Sequence, residues 1–264
     1  MSDWLFDLGN SRFKAAQWHG DAGIGEVLAW PHGADAVVAG DASHGPLPRG
    51  RPGWVGSGRG PAAAAQVMAL LRERFEEVHV ARTLAECAGV RVAYPQPQRL
   101  GVDRFLALLG ARAAGGDVLV AGVGTALTID LLDAGGRHHG GRIAASPALM
   151  RQALHQRAVQ LPAGGGPYSE VADGTEAALG SRCLGPAVAL VERSLQQAGR
   201  QLGHVPALLL HGGGAEALLP LLPQATLRAA LVLEGLALWA RMHGTDAGAS
   251  SPSAPAPASP PTSR

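Results

Sequence analysis

The chain opens with two short strands that turn on a glycine, and the same device returns about 115 residues later. Residues 4–7 and 12–18 flank Gly9-Asn10-Ser11, which reads as a β-hairpin. Residues 117–121 and 126–132 flank Gly122-Val123-Gly124-Thr125 in the same way. A short match says little alone. Two like hairpins opening two like stretches of alternating strand and helix signals point to a duplicated α/β unit.

The remaining signals fill in the two halves. Helices are predicted over residues 62–78, with Val67, Leu70, Leu71 and Phe75 on one stripe, and over 103–114, with Phe105, Leu106, Leu108 and Leu109. A short strand is expected at 78–81, a turn at Asp133-Ala134-Gly135-Gly136, and further helices over 147–161, 174–199 and 226–242. An apolar strand at 205–210 precedes Gly212-Gly213-Gly214. Residues 41–60, rich in Gly, Pro and Arg, read as a long loop or as one short strand around Trp54 and Val55. The domains are expected at 1–114 and 115–243. Residues 244–264, mostly Ser, Pro and Ala, form a tail that cannot repay its ordering entropy and is expected to be disordered.

Composition excludes several classes of function. With 47% hydrophobic and 16% charged residues, the 264-residue chain has ample material for a core. Its 22 basic and 21 acidic residues give a net charge of +1, without the basic footprint of a dedicated nucleic-acid binder. Apolar runs such as 118–123 and 207–210 fall far short of the ~20 residues of a membrane span. Asp3 and Asp7 within the first apolar stretch do not fit a signal peptide. Cys87 and Cys183 lack metal-ligand spacing and read as reduced thiols, so a soluble cytoplasmic protein is expected. Trp4, Trp18, Trp30, Trp54 and Trp239 read as packing residues, and His138-His139 as a solvated pair in a turn.

The first hairpin carries the clearest chemistry. Gly9 permits a tight turn, and exposed N–H groups in such a turn can cradle phosphate oxygens. Asp7 can hold a hydrated Mg²⁺ and Lys14, the only lysine in the chain, can neutralise phosphate charge. An ordinary hairpin with an Asp at its start would look the same. The second hairpin offers a similar nest with the Thr125 hydroxyl, and the glycine run at 212–214 could pass a nucleotide close to the backbone. In Gly101-Val102-Asp103-Arg104, Asp103 reads either as a helix N-cap or as a carboxylate that accepts a hydroxyl proton beside an anion-holding Arg104.

Together these residues resemble the signature set of type III pantothenate kinases. The match runs, in the family's order, through Asp7-Leu8-Gly9-Asn10-Ser11 with Lys14, Gly101-Val102-Asp103-Arg104, and Gly124-Thr125-Ala126-Leu127-Thr128-Ile129-Asp130. It continues through Gly140-Gly141-Arg142-Ile143, Leu161-Pro162, Gly174-Thr175, Gly212-Gly213 and Leu233-Glu234-Gly235-Leu236, covering residues 4 to about 242. The resemblance implies two ribonuclease-H-like α/β domains, the duplication of actin-like ATPases, flanking an active-site cleft. It implies ATP-dependent phosphorylation of pantothenate, the first step towards coenzyme A, by a homodimer whose active site lies near the subunit interface.

Carried over by residue, the resemblance gives Asp7, Leu8, Gly9, Asn10, Ser11, Arg12, Phe13 and Lys14 to the first phosphate loop and Thr125 to ATP in the second. Asp103 matches the proton acceptor and Gly101, Val102, Asp103 and Arg104 the substrate loop. Tyr94 matches a substrate-contacting tyrosine, and Thr175 a threonine reaching substrate from the neighbouring subunit. The cofactors implied are Mg²⁺ with ATP and a monovalent cation, K⁺ or NH₄⁺.

Two positions depart from the family pattern. Gly122 stands where the family has an Asp that helps bind the monovalent cation, so either backbone carbonyls rebuild that site or the potassium dependence is weakened. Ala144-Ala145-Ser146-Pro147 replaces a Pro-Gly and is expected to alter only a loop. Competing readings are a sugar or acetate kinase of the same superfamily, and a catalytically impaired homologue acting as a regulatory binding protein.

Overall fold

A computed structural model describes residues 3–9, 12–31, 47–51, 53–58, 61–158 and 168–244. Asn10, Ser11, Leu161, Pro162 and the 245–264 tail lie outside the described residues.

The first sheet contains β1 (Asp3–Leu8), β2 (Arg12–Trp18), β3 (Ile24–Pro31), β4 (Gly53–Ser57) and β5 (Val78–Val80), in the order β3-β2-β1-β4-β5. Helix α1 (Pro61–Arg74) joins β4 to β5, and a small ribbon of β6 (Glu86–Cys87) and β7 (Val90–Arg91) leads to α2 (Val102–Ala114). The second sheet contains β8 (Val118–Val123), β9 (Ala126–Leu132), β10 (His138–Ala145), β11 (Ala207–His211) and β12 (Ala225–Leu227). Its order, β10-β9-β8-β11-β12, repeats the first. In both sheets the leading strand pairs antiparallel with the next and parallel with the fourth. The duplicated hairpin thus marks a duplicated sheet, with α3 (Pro147–Arg157), α4 (Thr175–Leu202), the single turn α5 (Ala215–Leu218) and α6 (Leu231–Gly244) completing the chain.

Strand alternation sorts the core into three layers. Outward residues Phe6, Leu8, Phe13, Ala15 and Val55 pack with Val67, Met68 and Leu71 of α1. Outward residues Leu119, Ala121, Ile129 and Leu210 pack with Val188, Val191 and Leu195 of α4. Between the sheets, Leu5, Trp54, Val118, Val120, Leu132 and Leu209 pack on α2 and α6. These two helices cross almost backbone to backbone. A Cβ on Gly235 would lie 1.7 Å from the Leu106 carbonyl oxygen, and one on Gly110 would lie 2.4 Å from that of Leu231. The last helix therefore returns to the first sheet, against β1 and β4.

Two local expectations change. Residues 24–31, without a predicted element, form β3 and cover β2. Thr226 and Leu227, expected in a helix, belong to β12, which extends the sheet parallel to Leu209 and Leu210, and the helix starts at Leu231. Of the two readings of residues 41–60, the short strand around Trp54 and Val55 holds, and residues 53–57 form an interior strand of the first sheet.

Candidate active site

The inner faces of the two sheets converge at the carboxyl ends of β1, β4, β8 and β11. Asp7 and Lys14 face each other across β1 and β2, in register and on the inner face. Asp103 reaches the same place from the first turn of α2. It packs on the end of β4, since a Cβ on Gly58 would lie 3.1 Å from its carboxyl carbon. It is not the N-cap, a position held by Gly101 without a side-chain cap bond.

Asp7 sits deep in this cleft, and no described residue donates a hydrogen bond to it. Burial drives its carboxyl up to about 7, against the opposing pull of Lys14 and with added repulsion from Asp103. Two carboxylates converging on one lysine make a site that gains from added positive charge. Lys14 Nζ donates to the Ala229 carbonyl at 3.1 Å, linking the first hairpin to the chain just before α6. Arg12 also crosses towards the second half, its guanidinium lying beside Gly213. Leu8 and Phe13 are core residues, so these two can offer a ligand only their backbone groups.

In the second sheet the turn after β8 is closed by Gly124 N–H donating to the Ala126 carbonyl at 2.9 Å. Thr125 is exposed, and its carbonyl accepts from Ser146 Oγ, which also caps α3 by accepting from Leu149 N–H. The Ala144-Ala145-Ser146-Pro147 departure thus builds a capped helix start against the second turn. Gly214 N–H donates to the Val123 carbonyl and folds the glycine run over the end of β8.

Arg104 is held from beneath. Its Nε and Nη2 donate to the two carboxylate oxygens of Asp130 at 2.8 and 2.6 Å, and Nη1 donates to the Tyr94 hydroxyl at 3.2 Å. His138 lies 2.9 Å through Nε2 from the same carboxylate, and its Nδ1 accepts from Ala93 N–H at 3.4 Å. That acceptor role places the ring proton on Nε2, aimed at Asp130. Burial alone would raise Asp130, but the hydrogen bonds from His138 and Arg104 and the guanidinium charge hold it below the usual carboxylate range. The expectation of a solvated His138 is therefore overturned: it is fully buried because it shares the carboxylate that anchors Arg104. Glycine at 141 admits this network, since a Cβ there would lie 2.3 Å from Asp130 Oδ1 and 2.9 Å from Arg104 Nη2. Sequence reasoning missed both Asp130 and His138 as site-building residues.

Gly101 and Val102 start α2, and the preceding segment is pinned by Thr83 Oγ donating to the Leu100 carbonyl at 2.8 Å. Thr175 stands apart. It is exposed at the start of α4, and no hydrogen bond or ion pair joins it to the other candidate residues among those described. Both cysteines are free and buried. Among the described residues, no helix is long and apolar enough to cross a membrane, and no group of three or more His, Cys, Asp or Glu could hold a metal ion.

Two sheets of the same strand order, with Asp7 and Lys14 facing each other on the inner face of the first, make a duplicated α/β fold, and the family that the chain matches is one of kinases. The chain belongs to the type III pantothenate kinase family, which it matches over residues 4–197. It is 64% identical to the type III pantothenate kinase of Xanthomonas axonopodis pv. citri (strain 306) over 242 residues, 91% of this chain and 98% of the relative. It is 62% identical to that of Stenotrophomonas maltophilia (strain R551-3) over 240 residues, again 91% and 98%. Among solved structures, a Baf family protein of Campylobacter jejuni superposes with a TM-score of 0.62 at 16% identity, covering 92% of this chain and 99% of that one. A 2-dehydro-3-deoxygalactonokinase protein of Sinorhizobium meliloti gives 0.53 at 18% identity, covering 90% and 98%. These two likenesses bear on the fold alone.

Proposed function

We propose that the protein transfers the γ-phosphoryl group of ATP to the primary hydroxyl of pantothenate, making 4′-phosphopantothenate for coenzyme A synthesis in the cytoplasm. The observation that carries this reading is the convergence of Asp7, Lys14 and Asp103 from three elements on one cleft, in a chain 64% identical to a pantothenate kinase. Phosphoryl transfer needs positioning and charge neutralisation more than covalent chemistry. Lys14 and the hairpin N–H groups meet the phosphates, and Thr125 meets ATP from the opposite turn. The raised Asp7 carboxylate, to which no described residue donates a hydrogen bond, suits Mg²⁺ carried in with ATP, which supplies neutralisation of charge on the transferred group. Asp103 orients the acceptor hydroxyl and takes its proton. Gly101, Val102 and Tyr94 shape the pantothenate pocket, with Arg104 held by Asp130.

A homodimer is part of the proposal. It is supported by the apolar groove between α3 and α4, lined by Ala145, Leu149, Met150, Leu154 and Pro186, and by Thr175 on that same α4, exposed and away from its own chain's cleft. The free, buried thiols support a reducing compartment. The test is mass-spectrometric detection of 4′-phosphopantothenate from pantothenate and ATP–Mg. A product formed only from another acceptor would replace this reading with a different kinase of the same fold.

A further inference from the structure

The inner face of β8 ends at Gly122, whose cross-strand partners are Thr128 on β9 and His211 on β11. A Cβ at residue 122 would lie 2.7 Å from His211 Nε2 and 2.8 Å from Thr128 Oγ. No side chain fits there while the imidazole stands where it does. Residues 122 and 211 are therefore a pair: glycine admits the histidine, and the histidine fills the volume that the family's carboxylate would need.

The exchange alters the donor set on this part of the cleft floor. Potassium is held by oxygen ligands that replace its hydration shell, whereas imidazole nitrogen suits softer transition ions. Gly122, Thr128 and His211 together offer one hydroxyl and one imidazole, and no carboxylate to offset a cation. The imidazole is uncharged at neutral pH, since burial and then the charge of Lys14 push it down to about 4, with Asp130 pulling the other way. These residues do not fit the monovalent ion that the family resemblance implies.

We infer that this chain transfers phosphate without a K⁺ or NH₄⁺ requirement, His211 standing where a residue-122 carboxylate would hold that ion. The inference rests on the kinase reading above.

The test is the initial rate of the full-length protein with ATP–Mg and pantothenate in the chlorides of potassium, ammonium, sodium and tetramethylammonium at equal ionic strength. Rates within about two-fold of one another are expected. Stimulation by potassium or ammonium of about ten-fold or more over sodium would overturn the inference. Thermal unfolding with a non-hydrolysable ATP analogue gives a second readout, in which potassium and sodium should give the same midpoint. A potassium-specific rise would overturn the inference even if no salt supports turnover, a result that would separately contradict the kinase reading. The double substitution Gly122→Asp with His211→Ala restores both space and carboxylate, and potassium stimulation should appear in it. A double variant that is active yet indifferent to potassium would show that this pair does not set the cation dependence.

Discussion

Arg104 and Asp130 meet as a two-point ion pair, at 2.8 and 2.6 Å, with both side chains almost completely buried. A guanidinium in that environment needs its counter-charge, and here the counter-charge also fixes its plane. Arg104, in the first turn of α2, is thereby positioned by a strand of the second sheet.

Asp130→Asn leaves that guanidinium buried without a partner carboxylate. A loss of about 3–5 kcal/mol in unfolding free energy is expected from urea titration. If the variant folds, the KM for pantothenate should rise more than kcat falls. A stability loss under about 1 kcal/mol would mean the pair behaves as a surface pair does.

Asp7 is expected to show opposite effects on stability and activity. Its folded-state value, about 7, lies above the unfolded value near 4, so the folded chain binds the extra proton and loses stability as pH rises from about 4 to about 7. Asp7→Asn removes that loss. The variant should be more stable than the parent at pH 8, by on the order of 2–3 kcal/mol after allowance for partial solvent access, with the difference fading towards pH 4. Its kinase activity should collapse. Equal stabilities across that range would show that the carboxylate is not desolvated in the free protein.

Gly235→Ala places a methyl group against the Leu106 carbonyl, where the α6 and α2 backbones touch. Separating the two helices should cost about 1–3 kcal/mol or more, read as a lower urea midpoint. An unchanged midpoint would show that the crossing can open without penalty.

These residues also show what the sequence could and could not disclose. Both glycine turns were legible because each lies between short strands of matching pattern, and the Asp7–Lys14 pairing follows from their flanking one turn. Strand β3 was obscured because Gly25 and Glu26 break its apolar pattern, and it declares itself only when paired with β2. The three-residue β12 is too short to carry a period. The Arg104–Asp130–His138 network was hidden for another reason. Its members are far apart in sequence, and a histidine beside a Gly-rich turn reads as solvated until a buried carboxylate is placed against it. His211 had one available signal: the missing carboxylate at 122 leaves a space on a packed face that some neighbouring side chain must fill.

The most direct measurement compares Asp103→Asn with the parent protein, following pantothenate-dependent ADP release at saturating substrates alongside nucleotide affinity. With Asp103 taking the acceptor proton, kcat should fall by about 10²–10⁴-fold while nucleotide binding stays within about two-fold. A variant that turns over as the parent does would contradict the account, because the carboxylate delivered to the cleft by α2 would then have no part in the transfer.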